Sequence, residues 1–427
     1  MAIITPAPQT APFSPLPARE RQVLRELAQR QRELASLPVM AERTARWYAH
    51  NDFQGDRPMI HFEVDTFEHE IMPPLVCETE AGRTIEHQLR RLQLNHDFIG
   101  DDRVVPATFD IGWKTWFNIF DFQFHRDFVK DAKGRELGYH TESPIKNLAE
   151  DVHKLKPSTM GFDKAATLAW KQVVEEALGD ILPVRIAGRS TSHVLTQNVV
   201  DLMGMEAMMF AMLDTPDDLH LLMEKLTSDR IDYQLMLENE GLLLPTNAND
   251  WLCQGSFCFT HDLPTPPPGQ VKNRDVWGYL DSQETVGVSA EMFHEFFWPY
   301  YKRLAGMFGL VSYGCCEPVH MHWAASVSEL TNLRKVSISA WCNEEIMGEA
   351  LRGSKVIYHR KPSPNFFSAG PELDQAALSA YFLKTLQAAQ GCKLEFSFRD
   401  IYTLENNPAK LRQATDILKR LIEEHWN

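Results

Sequence analysis

Leu310-Val311-Ser312-Tyr313-Gly314-Cys315-Cys316-Glu317, Lys335-Val336-Ser337-Ile338-Ser339-Ala340-Trp341-Cys342, Lys355-Val356-Ile357-Tyr358-His359-Arg360-Lys361 and Leu394-Glu395-Phe396-Ser397-Phe398-Arg399-Asp400 follow one another along the last third of the chain. Each is a short apolar run ending in polar residues, and helical stretches lie between most of them. Strand alternating with helix reads as a parallel sheet covered by helices. Working outward, Pro58–Val64, Val104–Gly112, Pro183–Gly188 and Trp251–Phe259 are runs of the same kind. Together they make the eight strands of a closed (β/α)8 TIM barrel. An open doubly wound sheet is the alternative, but no G-x-G-x-x-G follows a strand and no G-x-x-x-x-G-K-[ST] occurs.

Three helices carry clear start signals. Thr215-Pro216-Asp217-Asp218 supplies a cap, a proline at the first turn and acids at the positive end of the dipole. Leu219, Leu222, Met223 and Leu226 then recur with helical spacing. Ser289-Ala290-Glu291 opens a second helix and Asn407-Pro408 a third, the last with Leu411, Ala414, Leu418 and Leu421 on its buried side. Residues 1–57 read as a proline-rich arm, Met1–Pro17, followed by an N-terminal helical extension. Residues 58–427 read as the barrel. The proline-rich segment Trp251–Gly278 is expected to be a mobile lid over the strand ends.

The 427 residues carry 43 Lys and Arg against 58 Asp and Glu, a net charge of −15, which argues against a nucleic-acid partner. The richest apolar segment, Leu202–Leu213, is too short to span a membrane, and the N-terminus lacks the pattern of a signal peptide. Seven cysteines, two of them adjacent, fit a reducing cytoplasm better than a disulfide framework.

In a barrel the chemistry sits where strands hand over to loops at the carboxyl face. The densest constellation there is Tyr313 through His320, with Cys315, Cys316, Glu317 and His320 within six residues. Thiolate, imidazole and carboxylate are zinc ligands, and a catalytic zinc needs three of them. The bland alternative is one packed cysteine with Glu317 and His320 facing solvent. Strand alternation would send the two thiols to opposite sides, so Cys316 is expected to face the lumen and Cys315 the core. Cys342 is a remote further ligand or a core cysteine. Asp281 and Glu284 could act as acid and base, or merely furnish a polar turn. Arg360 and Lys361, or Arg399 and Asp400, could hold a substrate carboxylate or pair with one another. Arg189, His193, Asp65 and Asp110 are candidates by position after strands, and a histidine so placed is more often structural. Trp113 begins an aromatic stretch that lines a pocket or packs an insertion. The Met203–Met212 stretch reads as core.

Several segments together resemble the uroporphyrinogen decarboxylase superfamily, which includes corrinoid-linked methyltransferases. These are Pro183–Gly188, Leu213-Asp214-Thr215-Pro216, the block from Asp281 through Ser289-Ala290-Glu291-Met292-Phe293-His294-Glu295-Phe296 to Pro299-Tyr300, Gly314–Pro318, Lys361-Pro362-Ser363-Pro364 and Asp400-Ile401-Tyr402-Thr403-Leu404. The resemblance implies a barrel enzyme, usually homodimeric. In one branch it implies a zinc-dependent methyltransferase with Cys316 and Glu317 as ligands, Cys315 as alternative thiol, Asp281 and Glu284 orienting substrate or completing the shell, and a corrinoid protein or thiol as partner. In the other it implies a cofactor-free decarboxylase of a tetrapyrrole or small acid. A non-catalytic corrinoid- or tetrapyrrole-binding barrel is the third reading. The arginine-rich N-terminal R-Q-A-G-R-Y motif of true uroporphyrinogen decarboxylases is absent, and Ser397-Phe398-Arg399-Asp400 stands where the methyltransferases carry a late cysteine.

Overall fold

The computed structural model describes residues 2–7, 15–124, 126–130 and 136–426. Nine short strands build its centre: β1 Met59–Phe62, β2 Phe109–Ile111, β3 Val184–Ile186, β4 Thr191–His193, β5 Trp277–Leu280, β6 Leu310–Tyr313, β7 Leu333–Ile338, β8 Ile357–Arg360 and β9 Leu394–Phe398. Seven of them form one parallel sheet in the order β1-β9-β8-β7-β6-β5-β4. A separate parallel ladder joins β2 to β3. Only residues 187–190 separate β3 from β4, so the two ladders are continuous through the chain.

Among the described residues no ladder joins β1 to β2, so backbone pairing does not complete a ring. Side chains satisfy the open edge of β1 instead. Asp102 Oδ2 accepts from Ile60 N at 2.9 Å, and Asp101 Oδ2 accepts from Phe62 N at 2.8 Å. Asn95 Nδ2 donates to Phe62 O at 2.8 Å. An unpaired buried strand edge is costly, and these carboxylates replace the missing neighbour.

The strands are buried on both faces, which explains their continuous apolar runs. Phe396 and Phe398 point outward and meet Phe382 of the Gln375–Ala388 helix edge-on, and Phe62 stacks on Phe398. The three signalled helices form at Pro216–Asn239, Ala290–Phe296 and Ala409–His425, and Ser289 Oγ accepts from Met292 N as a cap. The helix Ala18–Ala35 packs through Leu24 and Ala28 against Ile85, Leu89 and Val174. Part of the expected loose arm is tied down, because Ile3–Ile4 pairs with Thr159–Met160; residues 8–14 of that arm lie outside the described residues. No helix among the described residues is long and apolar enough to cross a membrane.

The segment expected as a lid goes elsewhere. Trp251–Cys253 and Ser256–Phe257 form an antiparallel hairpin, not a strand of the parallel sheet. Leu252, Ser256, Phe257 and Cys258 are all buried. Trp277, at the amino end of β5, donates from Nε1 to Cys258 O at 3.0 Å, and Asn51 Nδ2 donates to Phe257 O and Phe259 O. Farther up, Ser256 Oγ bonds Glu395 and Ser397 Oγ bonds Gly255 O. The tip, Gln254, reaches Cys315 and Lys361 beyond the carboxyl ends of β6 and β8. The hairpin therefore runs up through the space that the sheet surrounds. Its apolar residues read as strand because they are buried, but the chain reverses at Cys253, Gln254 and Gly255, where φ is +82°, +53° and +79°. The missing parallel strand is Trp277–Leu280, which starts in the last two residues of the predicted lid and runs past its end. It holds Gly278, where a Cβ would stand 2.3 Å from the Phe308 ring.

Candidate functional site at the carboxyl ends of the strands

The carboxyl ends of β5 and β6 gather an acidic cluster. Tyr279 and Asp281 leave β5 on the same side, as residues two apart in extended chain do. Tyr279 Oη donates to Asp281 Oδ2 at 2.5 Å. Asp281 is 3% exposed, and its other oxygen, Oδ1, is buried without a partner. Burial, reinforced by the charges of Glu317 and Cys315, pushes the Asp281 carboxyl well above the usual carboxylate range. Burial thus favours the protonated form of Asp281, and its Oδ1 stands free. Glu284 accepts from Thr196 Oγ1 at 2.7 Å and is also pushed up by burial.

The thiols arrive by a turn rather than a strand. β6 ends at Tyr313, and Gly314 takes φ +99°, a conformation open to glycine. The expected opposition of the two thiols fails for that reason. Cys315 Sγ and Cys316 Sγ lie 3.5 Å apart, with Cys315 buried and Cys316 half-buried. Cys315 is no inert core residue: its Sγ sits 3.1 Å from Gln254 Oε1 and 3.8 Å from Arg399 Nη1. Hydrogen bonding from Cys315 draws the Cys316 thiol down, helped by the positive charges of Lys361 and Arg399, while Cys315 itself is pushed up. Of the two, Cys316 is the thiol that gives up its proton more readily.

Lys361, just past β8, donates to Gln254 Oε1 at 2.7 Å and approaches Gly314 O and Cys315 O. Arg399, just past β9, pairs with Glu63 at 3.1 Å and Asp400 at 3.5 Å. The expected Lys361, Asp400, Asp281, Cys315 and Cys316 are thereby linked to one another through Gln254, Tyr279, Arg399 and Glu63. Of these connecting residues, sequence reading had singled out only Arg399. Gln254 sits on the hairpin tip, where no periodicity marks it, and Tyr279 lay just past the supposed lid, in none of the eight apolar runs.

Other candidates stand apart. Arg360 is outside the sheet, donating to Glu344 at 2.7 Å and to Ile338 O and Ser339 O. Alternation explains this, since Arg360 and Lys361 are neighbours on one strand. Tyr313 also points outward, against Trp298 and Tyr301, with its hydroxyl 2.6 Å from Ser282 Oγ. His193 is buried beside Phe308 and 3.0 Å from Gln234; burial pushes its imidazole down to about 3. Trp113 and Arg189 line a smaller cavity near β2 and β3.

The predicted zinc ligands do not assemble. Glu317 spends its two oxygens on backbone amides, accepting from Ser282 N at 3.0 Å and Cys315 N at 2.7 Å. His320 turns toward Cys342, with Nδ1 3.5 Å from that sulfur and accepting from Asn343 N. Among the described residues no group of three or more His, Cys, Asp or Glu side chains is placed to hold a metal ion. The donor set does not fit zinc.

The fold and site together define an α/β protein with a buried acid, a thiol pair and two cations at the carboxyl ends of parallel strands. No family model matches the chain, and no curated protein matches it. Among solved structures it is similar to a methyltransferase from Methanosarcina mazei, with 12% identity over 88% of this chain and 98% of that one and a TM-score of 0.46. A likeness that distant does not bear on the reaction.

Proposed function

We propose that the chain is a methyltransferase acting on a small methylated substrate. The observation that carries this reading is the Cys315–Cys316 pair, 3.5 Å apart beyond β6, in which the Cys316 thiol is drawn down, beside the buried Asp281 carboxyl that the charges of Glu317 and Cys315 help push up. A thiolate is a strong nucleophile toward a methyl carbon, and a buried acid can protonate the group that departs. The sulfur–carbon bond forms as the bond from methyl to oxygen or nitrogen breaks. The electron pair stays on the heteroatom, which takes the proton of Asp281. Lys361 and Arg399 hold the site's charge balance. A thiol or corrinoid protein would be the final acceptor. The test is incubation with isotopically labelled methanol, methylamine and methoxybenzene, followed by peptide mapping. Label on the Cys316 peptide supports the reading. Absence of label, with no demethylated product when thiol or reduced corrinoid is added, sinks it.

Lys361 and Arg399 favour a second reading. Two cations near a buried acid could hold a substrate carboxylate, release carbon dioxide and let the remaining electron pair take the Asp281 proton. Carbon dioxide release from a panel of small carboxylic acids, unaffected by Cys316→Ser, would favour it.

A further inference from the structure

Between β1 and β2, where the ladder is missing, a cavity of about 510 Å³ opens; His61, Arg91, Arg103, Arg189 and Trp251 are among its lining residues. Three arginines, Arg91, Arg103 and Arg189, and three carboxylates, Glu63, Asp65 and Asp110, line it, but they are not all paired with one another. Arg91 is committed to Asp65 and Glu68, Asp110 to Arg185, and Glu63 to Arg399. Arg103 and Arg189 have no ion-pair partner among the described residues. The Arg103 guanidinium lies over the Phe257 ring, 5.3 Å from its centroid, and its Nε is buried without a hydrogen bond. The charges of Asp101 and Glu63 act on it from nearby, but neither forms an ion pair with it. A buried N–H without an acceptor is costly, so its retention points to an anion that visits.

His61 adds a directional group. It is 1% exposed, and its Nδ1 lies 3.1 Å from Asp101 Oδ2. Asp101 also accepts from Phe62 N, Arg103 N and Asn95 Nδ2, bonds that hold it ionised. An ionised carboxylate must receive the Nδ1 proton, which leaves Nε2 as the lone-pair nitrogen. Nε2 is buried and has no partner. It is an acceptor awaiting a donor.

We propose that this cavity binds a small hydroxy or amino acid, whose carboxylate pairs with Arg103 and Arg189 and whose hydroxyl or amine donates to His61 Nε2. This assignment stands on two arginines without an ion pair and on two unpartnered buried atoms, Arg103 Nε and His61 Nε2, and it does not depend on which reaction the neighbouring thiol site performs.

The experiment is isothermal titration of the full chain with lactate and with propionate, which lacks the hydroxyl. Lactate should bind, and more tightly than propionate by about tenfold, the worth of one buried hydrogen bond. Arg103→Gln should weaken both acids about tenfold or more. Arg189→Gln, at an exposed position that leaves packing undisturbed, should weaken both to a smaller degree. His61→Phe, which keeps the ring contacts with Trp251 and Phe257, should erase the preference for lactate while propionate still binds. Absence of lactate binding at about 50 mM, or binding unchanged in both arginine variants, overturns the site. Equal affinity for the two acids in the unaltered protein overturns the role of His61.

Discussion

Two buried clusters of ionisable groups lie along the same sheet, and they are built on opposite rules. Inside the sheet, Lys335 Nζ donates to Glu395 Oε2 and to Ser256 Oγ, both at 2.7 Å, and Ser256 Oγ donates to Glu395 Oε1 at 2.8 Å. His50 stands 3.2 Å from Glu395, and His359 bonds Ser397 at 2.7 Å. One cation meets one anion, and burial keeps both histidines neutral. At the strand ends, Asp281, Glu284 and Glu317 crowd together with two thiols, and Asp281 keeps an oxygen without a partner. In the first cluster Lys335, Glu395 and Ser256 satisfy one another, and they serve the fold. The second leaves hydrogen-bonding capacity unused, as a site that must receive a substrate does.

The largest expected effect comes from breaking the satisfied cluster. Lys335→Met strands a buried carboxylate and should cost about 3–5 kcal/mol in denaturant unfolding. Adding Glu395→Gln should restore much of that loss. If the single variant is as stable as the parent, the interior pair does not hold the fold together.

Cys316→Ser should lower transfer activity by about a hundredfold or more with little change in melting temperature, because the sulfur is half-buried and only weakly packed. Cys315→Ser should cost less, since it acts by polarising its neighbour. Equal losses in the two variants would place the nucleophile on neither cysteine alone.

The two clusters should also pull stability in opposite directions with pH. Asp281 is raised in the folded state, so its contribution is present in acid and is lost as pH climbs from the ordinary carboxylate range through its folded value. Asp281→Asn should therefore gain on the parent with rising pH while losing about a hundredfold in activity. Glu395 is lowered, so its contribution holds above the carboxylate range and fails as pH falls. His359 is pushed down to about 3 by burial, so its contribution holds above the ordinary histidine value of 6.5 and declines as pH drops toward 3. Denaturation curves at several pH values measure both limbs. An Asp281→Asn advantage that shrinks with rising pH would contradict a neutral Asp281.

The smallest effect is expected at the hairpin tip. Gln254→Ala removes the acceptor shared by Cys315 and Lys361 and should cost about 1 kcal/mol of stability. It should also raise the pH at which the Cys316 thiol reacts with iodoacetamide, if the tip helps position Lys361. An unshifted profile would leave the tip a passive filler.

Much of this architecture was legible in the chain. Seven of the eight apolar runs contain a strand of the parallel sheets, because buried strands are apolar on both faces and short. The start signals of three helices act locally, so their residues suffice to read them. Asp281, Cys315, Cys316 and Lys361 could be singled out because their chemistry stands beside the end of an apolar run. What the runs could not say was where each one packs. Trp251–Phe259 and Trp277–Leu280 are both aromatic and apolar, and only the surroundings make the first a hairpin within the sheet and the second a strand of it. The side of the sheet that Arg360 or Lys361 faces depends on register. The convergence of Glu317 on backbone amides, and of His320 on Cys342, depends on a turn at Gly314. Burial is written in composition and periodicity; which distant groups meet is set by how the helices and hairpin pack, and that is where the thiol pair, the buried acid and the unpaired arginine came together.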